Sequence, residues 1–453
     1  MDRKRIWGWW FFDWASQPYH TLLLTFIFSI YFAEVATRHF IASGMDAAFA
    51  GARAQTIWGY GLAASGAIIA ILAPILGAIA DSTGRRMPWI WLFSAFYVVG
   101  SAGLWFLMPT QPALINALIF FAIGMIGVEF ATIFTNALLP GLGPRDEIGN
   151  LSGFGYAFGY AGGVVSLAIM LLVFAETPTG RTMLTGLAPG FGLLDASTRE
   201  GTRFVGPFTA IWYIVFMIPF FLWVREPRAG HRPLNIGGAM RDLWRLIKSL
   251  RHRKSLAAWL VSSMFSRDAL NALYGFGGVY AGTILGWPVF LSGVFGVVSA
   301  VSAAVLSWLG GLADRRYGPK PVIIFTICVL IFVCSIIVGM SRTQFFGIPL
   351  EPGSRLPDVM FFICGALIGG AGGAMQAASR TMMVRHTTEA RATEAFGLYA
   401  LSGKATAFLA PALIAVTTQI TGNQRLGIAP LIVIFLLALL VLHWVKAEGE
   451  TEQ

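Results

Sequence analysis

Four charged residues sit inside long apolar stretches: Glu129, Arg267, Asp268 and Lys404. Charge at mid-membrane depth is costly and marks ion or substrate pathways. The formal sum of the four is zero. The set suits a zwitterionic solute, with Arg267 or Lys404 meeting its carboxylate and Glu129 or Asp268 meeting its amine. The same groups can equally pair with one another as internal locks. Arg267 and Asp268 are neighbours, about 100° apart on a helix, so both cannot point straight at one central site. Glu129 and Asp268 are the proton-carrier candidates, because burial disfavours a charged carboxylate and brings its titration towards neutral pH. Gln17, Asn136, Tyr156, Tyr160, Asn271, Tyr274 and Gln376 add polar groups that either orient a ligand or join helices. His20 reads as a hydrogen-bonded core residue.

A further acid, Asp13, lies in FFDWASQPYH, Phe11 to His20. A basic N-terminus and then Trp7, Trp9 and Trp10 precede it, like an interfacial aromatic belt. Asp13 is about one helical turn, roughly 5 Å, deeper than that belt. It therefore reads as an inner gate or polar latch. Pro18 removes a helix hydrogen bond and can kink the chain above it.

Other chemistries find no support. The glycines of GFGYAFGYAGG and GGAGGA lie in apolar stretches and read as helix-packing surfaces. A nucleotide loop needs a preceding strand and a GK[ST]-like end, and no such pattern occurs. HExxH and CxxC pairs are absent, so no metal site is expected. Cys328, Cys334 and Cys364 lie in apolar runs, as small core residues do. No catalytic constellation is expected, and no cofactor.

The elements that must position these groups follow from composition. The chain has 453 residues, 56% hydrophobic and only 12% charged, with mean hydropathy +0.70. An ordinary soluble domain is about 25% charged. The surrounding solvent is therefore lipid. The N-terminal apolar run is too long for a cleaved leader and reads as a retained first span. Twelve spans are expected: 9–35, 55–80, 88–109, 112–139, 150–175, 205–225, 256–284, 288–313, 320–341, 358–384, 394–420 and 426–445. With the N-terminus inside, the inner connections hold 22 of the 32 Lys and Arg and the outer ones eight. The positive-inside rule then puts both termini in the cytoplasm. It also accounts for the net charge of +10, and no basic, aromatic-interleaved soluble surface for nucleic acid remains. Within the long connection from Arg225 to Lys254, Met240, Leu243, Trp244, Ile247 and Leu250 recur at helical spacing opposite Arg241, Arg245, Lys248 and Arg251. That is an amphipathic helix on the membrane, tethering two halves.

The two halves echo each other. GAIADSTGRR, Gly77 to Arg86, follows the second span, and GGLADRRYGPK, Gly310 to Lys320, follows the eighth. A polar motif repeated at matched places in two six-helix halves marks a duplicated transporter. In the first copy Gly77 admits a close helix, Asp81 ends its own helix, Gly84 makes a tight turn and Arg85 and Arg86 meet lipid headgroups or an acid of the other half. The second copy, with Gly310, Asp314, Gly318 and Lys320, has one more residue between its Asp and its second Gly.

This motif resembles the loop signature of the major facilitator superfamily. DWASQPY, NALLP, EIGNLSGFGYAFGYAGG, GGVYAGTILGW, GGAMQAASR and EAFGLYALSGKATAFLAP follow in order from Asp13 to Pro411. Together they resemble the vacuole-effluxer-like branch, also called the unknown major facilitator family; Ser16 stands where that family often has Asn. The resemblance implies that helices one, four, seven and ten line the path, which would include Gln17, Asn136, Asn271, Tyr274 and Gln376. Fungal members of that branch are linked with amino-acid efflux from vacuoles.

The expectation is an all-α membrane protein of twelve transmembrane helices in two pseudo-symmetric six-helix bundles. Residues 1–225 and 256–453 would form the bundles and 226–255 the linker. Its function would be secondary transport of a small polar solute, an amino acid by first choice, by alternating access in a bacterial inner membrane. Proton coupling and a monomeric state are expected with it. The competing readings are an exporter of lipophilic compounds and a non-transporting sensor or assembly factor.

Overall fold

A computed structural model describes residues 2–177, 179–182, 184–226, 236–287, 289–423 and 425–450. Twelve apolar helices dominate. They are α1 (Arg3–Ala42), α2 (Ala47–Thr83), α3 (Met87–Phe106), α4 (Leu114–Asn136), α5 (Ile148–Phe174), α6 (Val205–Trp223), α7 (Lys254–Thr283), α8 (Val289–Tyr317), α9 (Pro319–Gly339), α10 (Leu356–Arg385), α11 (Glu389–Thr421) and α12 (Ala429–Leu442). Among the described residues ten of these are long and apolar enough to cross a membrane; α12 is shorter, and α7 carries Arg267 and Asp268. Two short strands, Gln344–Phe345 and Ile348–Pro349, pair as a small hairpin between α9 and α10.

Several helices outrun their expected ends. α1 begins at Arg3 rather than near residue 9, because the Asp2 carboxylate caps it by accepting from the backbone N–H of Lys4. α2 begins eight residues before its expected start. Lipid demands that backbone groups be satisfied internally, and continuing a helix past the apolar boundary does that.

Pro18 has the predicted effect. Directly after it the chain winds as a π-helix, Tyr19–Phe26, and α1 is interrupted at Ile27 (φ −125°, ψ −65°) before resuming at Phe28. A wider turn accommodates the missing N–H, and such turns gather at functional positions.

The two halves of the chain meet along α2 against α11 and α5 against α8. Small residues make both contacts. A Cβ on Gly77 would lie 2.6 Å from the Thr393 carbonyl oxygen, and one on Gly397 would lie 2.6 Å from that of Ala73. In α5, Gly149 and Gly153 face Asp314 and Gly311 of α8, whereas Gly155, Gly159, Gly162 and Gly163 face α1. One glycine-rich helix thus offers two bare faces, and dispersion contacts replace a hydrophobic drive that is missing in lipid.

Both repeated loops turn through a glycine in the left-handed region. Gly84 has φ +67° and donates to the Asp81 carbonyl at 3.2 Å. Gly318 has φ +84° and donates to the Asp314 carbonyl at 2.7 Å. The extra residue in the second copy only widens the turn by one position.

Candidate functional site

The first and last described residues and both repeated loops share one end of the bundle, here called the terminal face. There several polar contacts join the halves among the described residues, Arg145 donating to the Arg385 carbonyl at 3.1 Å among them; three carry the motifs read from the sequence, and a fourth lies deeper.

The first is built on Asp81. One oxygen accepts from Arg86 at 3.1 Å, and the other accepts the Glu394 backbone N–H of α11 at 2.8 Å. A carboxylate at a helix start suits the exposed N–H groups there. Arg86 also donates to the Thr393 hydroxyl at 2.8 Å and to the Glu389 carbonyl. The Glu226 carboxylate holds the loop from behind by accepting the backbone N–H groups of Arg86 and Met87. Arg85, by contrast, is exposed.

The second is built on Arg380 of α10, 2% exposed. Its guanidinium donates to Asp13 of α1 at 3.1 and 3.2 Å, to Asn136 Oδ1 of α4 at 3.1 Å, and to the Ser152 carbonyl and hydroxyl of α5 at 2.8 and 2.9 Å. It lies between the rings of Trp9 and Tyr156, 4.6 and 4.4 Å from their centroids. A planar five-donor fork flanked by aromatic faces is the chemistry that arginine alone provides. Trp9 is therefore 1% exposed and donates to the Thr135 carbonyl rather than standing in an interfacial belt; Trp7, 42% exposed, keeps that position. Arg380 is among the 22 basic residues assigned above to the inner connections, although it falls within the tenth expected span, 358–384; the structure puts it inside the bundle. The signal that it is internal was the GGAMQAASR stretch, too polar at its end to place without a fold.

The third is the second loop copy, and it is not a mirror of the first. Asp314 is 2% exposed, abuts Gly149 at the start of α5, and has the Thr381 hydroxyl of α10 and the Arg385 guanidinium as its polar neighbours. Its neighbour Arg315 pairs with Glu147 at 2.5 Å. Gly310 packs on Ala374 of α10, within the same half. Lys320 donates to the Val445 carbonyl at 2.6 Å and so holds the C-terminal segment.

The fourth contact carries the charges singled out above. Lys404 Nζ of α11 lies 3.2 Å from Glu129 Oε1 of α4, joining the halves with both side chains about one-fifth exposed. Arg267 of α7 donates to the Tyr399 carbonyl at 2.8 Å and stacks on the Tyr399 ring at 4.2 Å. No carboxylate lies within ion-pair distance of it among the described residues. Asp268, 2% exposed, accepts the Ala410 backbone N–H at 3.1 Å. The reason is a break in α11, between the helical pieces Ala392–Ala405 and Leu409–Thr421. Asp268 satisfies a first-turn N–H of the second piece. Neighbouring residues that point about 100° apart thus both reach α11, one on each side of its break. His20 lies in the π-helical turn of α1, and its carbonyl accepts from Thr25.

Between the second and fourth contacts lie polar groups from both halves. Gln376 of α10 donates to the Tyr160 hydroxyl of α5 at 3.2 Å, and Tyr160 shares a hydrogen bond with Tyr274 of α7. Asn271 and Tyr274 are exposed, Tyr274 by 40%. Gln17 is half-buried against Gly163. Asn136 and Tyr156 are engaged by Arg380.

Sequence and fold comparisons agree with this architecture. The profile described as "Vacuole effluxer Atg22 like" matches residues 1–453. The MFS-type transporter YxiO of Bacillus subtilis (strain 168) is 26% identical over 454 residues, 98% of this chain and 95% of its own. Autophagy-related protein 22-1 of Aspergillus clavatus is 23% identical over 318 residues, 66% of this chain but 49% of that protein. Among solved structures, the human organic anion transporter MFSD10 superposes with TM-score 0.71 at 14% identity, covering 97% of this chain and 99% of its own. The proton:xylose symporter XylE superposes with TM-score 0.68 at 12% identity, covering 98% and 96%. The chain is a membrane-spanning transporter of the major facilitator fold and belongs to the vacuole effluxer Atg22-like family.

Proposed function

We propose that the protein moves a small solute bearing a carboxylate, an amino acid by first choice, across the bacterial inner membrane in exchange or in company with protons. It works as a monomer, by rocking of two six-helix bundles, residues 1–225 and 256–453. The terminal face is cytoplasmic, as the bias of Lys and Arg supports. The description of the family as effluxers favours export.

The observation that carries this reading is the Glu129–Lys404 pair beside Arg267. The pair is neutral as a unit, and among the described residues Arg267 has no ion pair of its own and rests on the Tyr399 carbonyl and ring. That leaves one cation able to receive a carboxylate, with a bidentate fork suited to it. A proton placed on Glu129 removes the ion pair and frees Lys404 for the same carboxylate. Proton and solute then share one residue, which is a coupling mechanism with no further parts. Asp268, whose carboxylate meets the break in α11, serves that break and is the second titrating acid.

The test is transport by purified protein in liposomes under an imposed pH gradient. Amino-acid flux should respond to the gradient and lose that response in Glu129→Gln. Flux indifferent to both the gradient and the substitution would sink the coupling. A thermal-shift screen in which amino acids never stabilise the wild type, while other solutes do, would sink the substrate class.

A further inference from the structure

The helix Ile236–Ser249 precedes α7 and packs against α2. Its buried face is Ala239, Leu243 and Leu246. An amphipathic helix with one apolar stripe would end its apolar character there. This one does not. Trp244 is 58% exposed and Ile247 is 37% exposed, on the flank beside the buried stripe. Next around the helix come Arg241 and Lys248, both exposed. Lys248 Nζ stands 5.5 Å from the centroid of the Trp244 ring. The helix contains three basic residues and one acidic one. Among the described residues nothing covers this second apolar edge, which ends in cations.

Its place in the fold says what covers that edge. The connection leaves α6 and returns into α7, both lipid-crossing, so the helix stands where the bilayer surface meets the terminal face. An indole at that level with basic residues just outside it matches the headgroup zone of an anionic leaflet. The connection also holds the loop that closes this face. Glu226 accepts the N–H groups of Arg86 and Met87, while the helix packs against α2, which bears Asp81, and its Leu246 shares a small cleft with Leu256, Met383 and Ala395 of the other half.

We propose that Trp244, Arg241 and Lys248 bind the headgroup of an anionic phospholipid of the adjoining leaflet, and that its binding favours the state in which the terminal face is closed. Lipid holds the helix, the helix holds the end of α2, and Asp81 then meets α11. The choice of the inner leaflet rests on the orientation proposed above.

The test uses full-length protein with Cys328, Cys334 and Cys364 replaced, spin-labelled at Thr83→Cys and Ala390→Cys on the two sides of the closed face. Distance distributions are compared in nanodiscs of phosphatidylcholine and of phosphatidylcholine with one-quarter phosphatidylglycerol. The closed, short-distance population should rise with phosphatidylglycerol, and the rise should shrink about fivefold for each cation removed in Arg241→Gln and Lys248→Gln. Restoring charge with Arg241→Lys and Lys248→Arg should bring it back. Equal populations in both lipids, or a rise that survives loss of both cations, overturns the proposal. Should the glutamine variants fail to fold in neutral lipid, the wild type decides: its lipid response must fade in 0.5 M salt, since headgroup attraction is screened within about 3–10 Å there, and a salt-indifferent response overturns the proposal. Labelling of Thr83→Cys in intact cells by an impermeant reagent reads the orientation separately. If that site is reached from outside, the orientation fails while the lipid comparison still stands.

Discussion

Arg380 donates two N–H groups to the Asp13 carboxylate, at 3.1 and 3.2 Å, across the boundary between the two halves of the chain. The pair joins residues 367 positions apart in the sequence. It closes the terminal face below the mid-membrane pair of Glu129 and Lys404. An alternating-access cycle that opens this face must break it, so it belongs to one conformation only.

Asp13→Asn and Arg380→Ala remove one partner of a buried pair and leave the other uncompensated. Each should lower stability by about 3–5 kcal/mol, read as a fall in melting temperature in detergent. Arg380→Lys keeps the charge but not the fork or the ring contacts, and should recover only part of the loss. Full recovery in Arg380→Lys would show that charge alone matters.

Gly77 packs on the Thr393 carbonyl, with no room for a Cβ. Gly77→Val should therefore hold α2 and α11 apart and populate the state open at the terminal face. Accessibility of a cysteine at Ala73 to a soluble maleimide measures it. The labelling rate should rise over that of the glycine parent, and an unchanged rate would contradict the close approach.

Lys404→Ala should act on solute and proton together. It removes the Glu129 partner and one of two cations facing a carboxylate. Solute affinity should fall and the pH response should weaken in parallel, whereas Arg267→Ala should lower affinity and leave the pH response in place. Binding isotherms at two pH values separate the two effects.

His386 lies just beyond α10, 1% exposed, with its ring nitrogens engaged by the Ser255 hydroxyl at 2.8 Å and the Met382 carbonyl at 2.9 Å. Burial pushes its pKa down to about 4. The folded pKa is below the ordinary value, so the unfolded chain binds the extra proton first. Stability from the neutral ring is fully present above about pH 6.5 and is lost as pH falls through that window towards 4. The loss should reach about 3 kcal/mol. Melting temperatures measured from pH 7 to 4 should show a steeper fall for the wild type than for His386→Gln; equal slopes would refute the assignment.

The sequence by itself determined the membrane class, the number of spans and the duplication. Those depend on local composition and on a repeat, and lipid makes long apolar runs readable because each must satisfy its own backbone. It also singled out Glu129, Lys404, Arg267, Asp268, Asp13 and Asp81, since charge in an apolar run stands out. The folded chain alone decided who meets whom. Arg380, tallied with the inner connections although within an expected span, is carried inside by α10. Asp268 met a backbone N–H because α11 breaks after Ala405, where Pro411 has no N–H to donate to the Ala407 carbonyl four residues back. The two loop copies, alike in letters, ended differently: Asp81 found Arg86 and the start of α11, while Asp314 found Gly149 of the other half and Thr381 of its own. Partners drawn from positions hundreds of residues apart follow from how helices pack, and packing in lipid depends on the shapes of small residues rather than on any pattern of polarity.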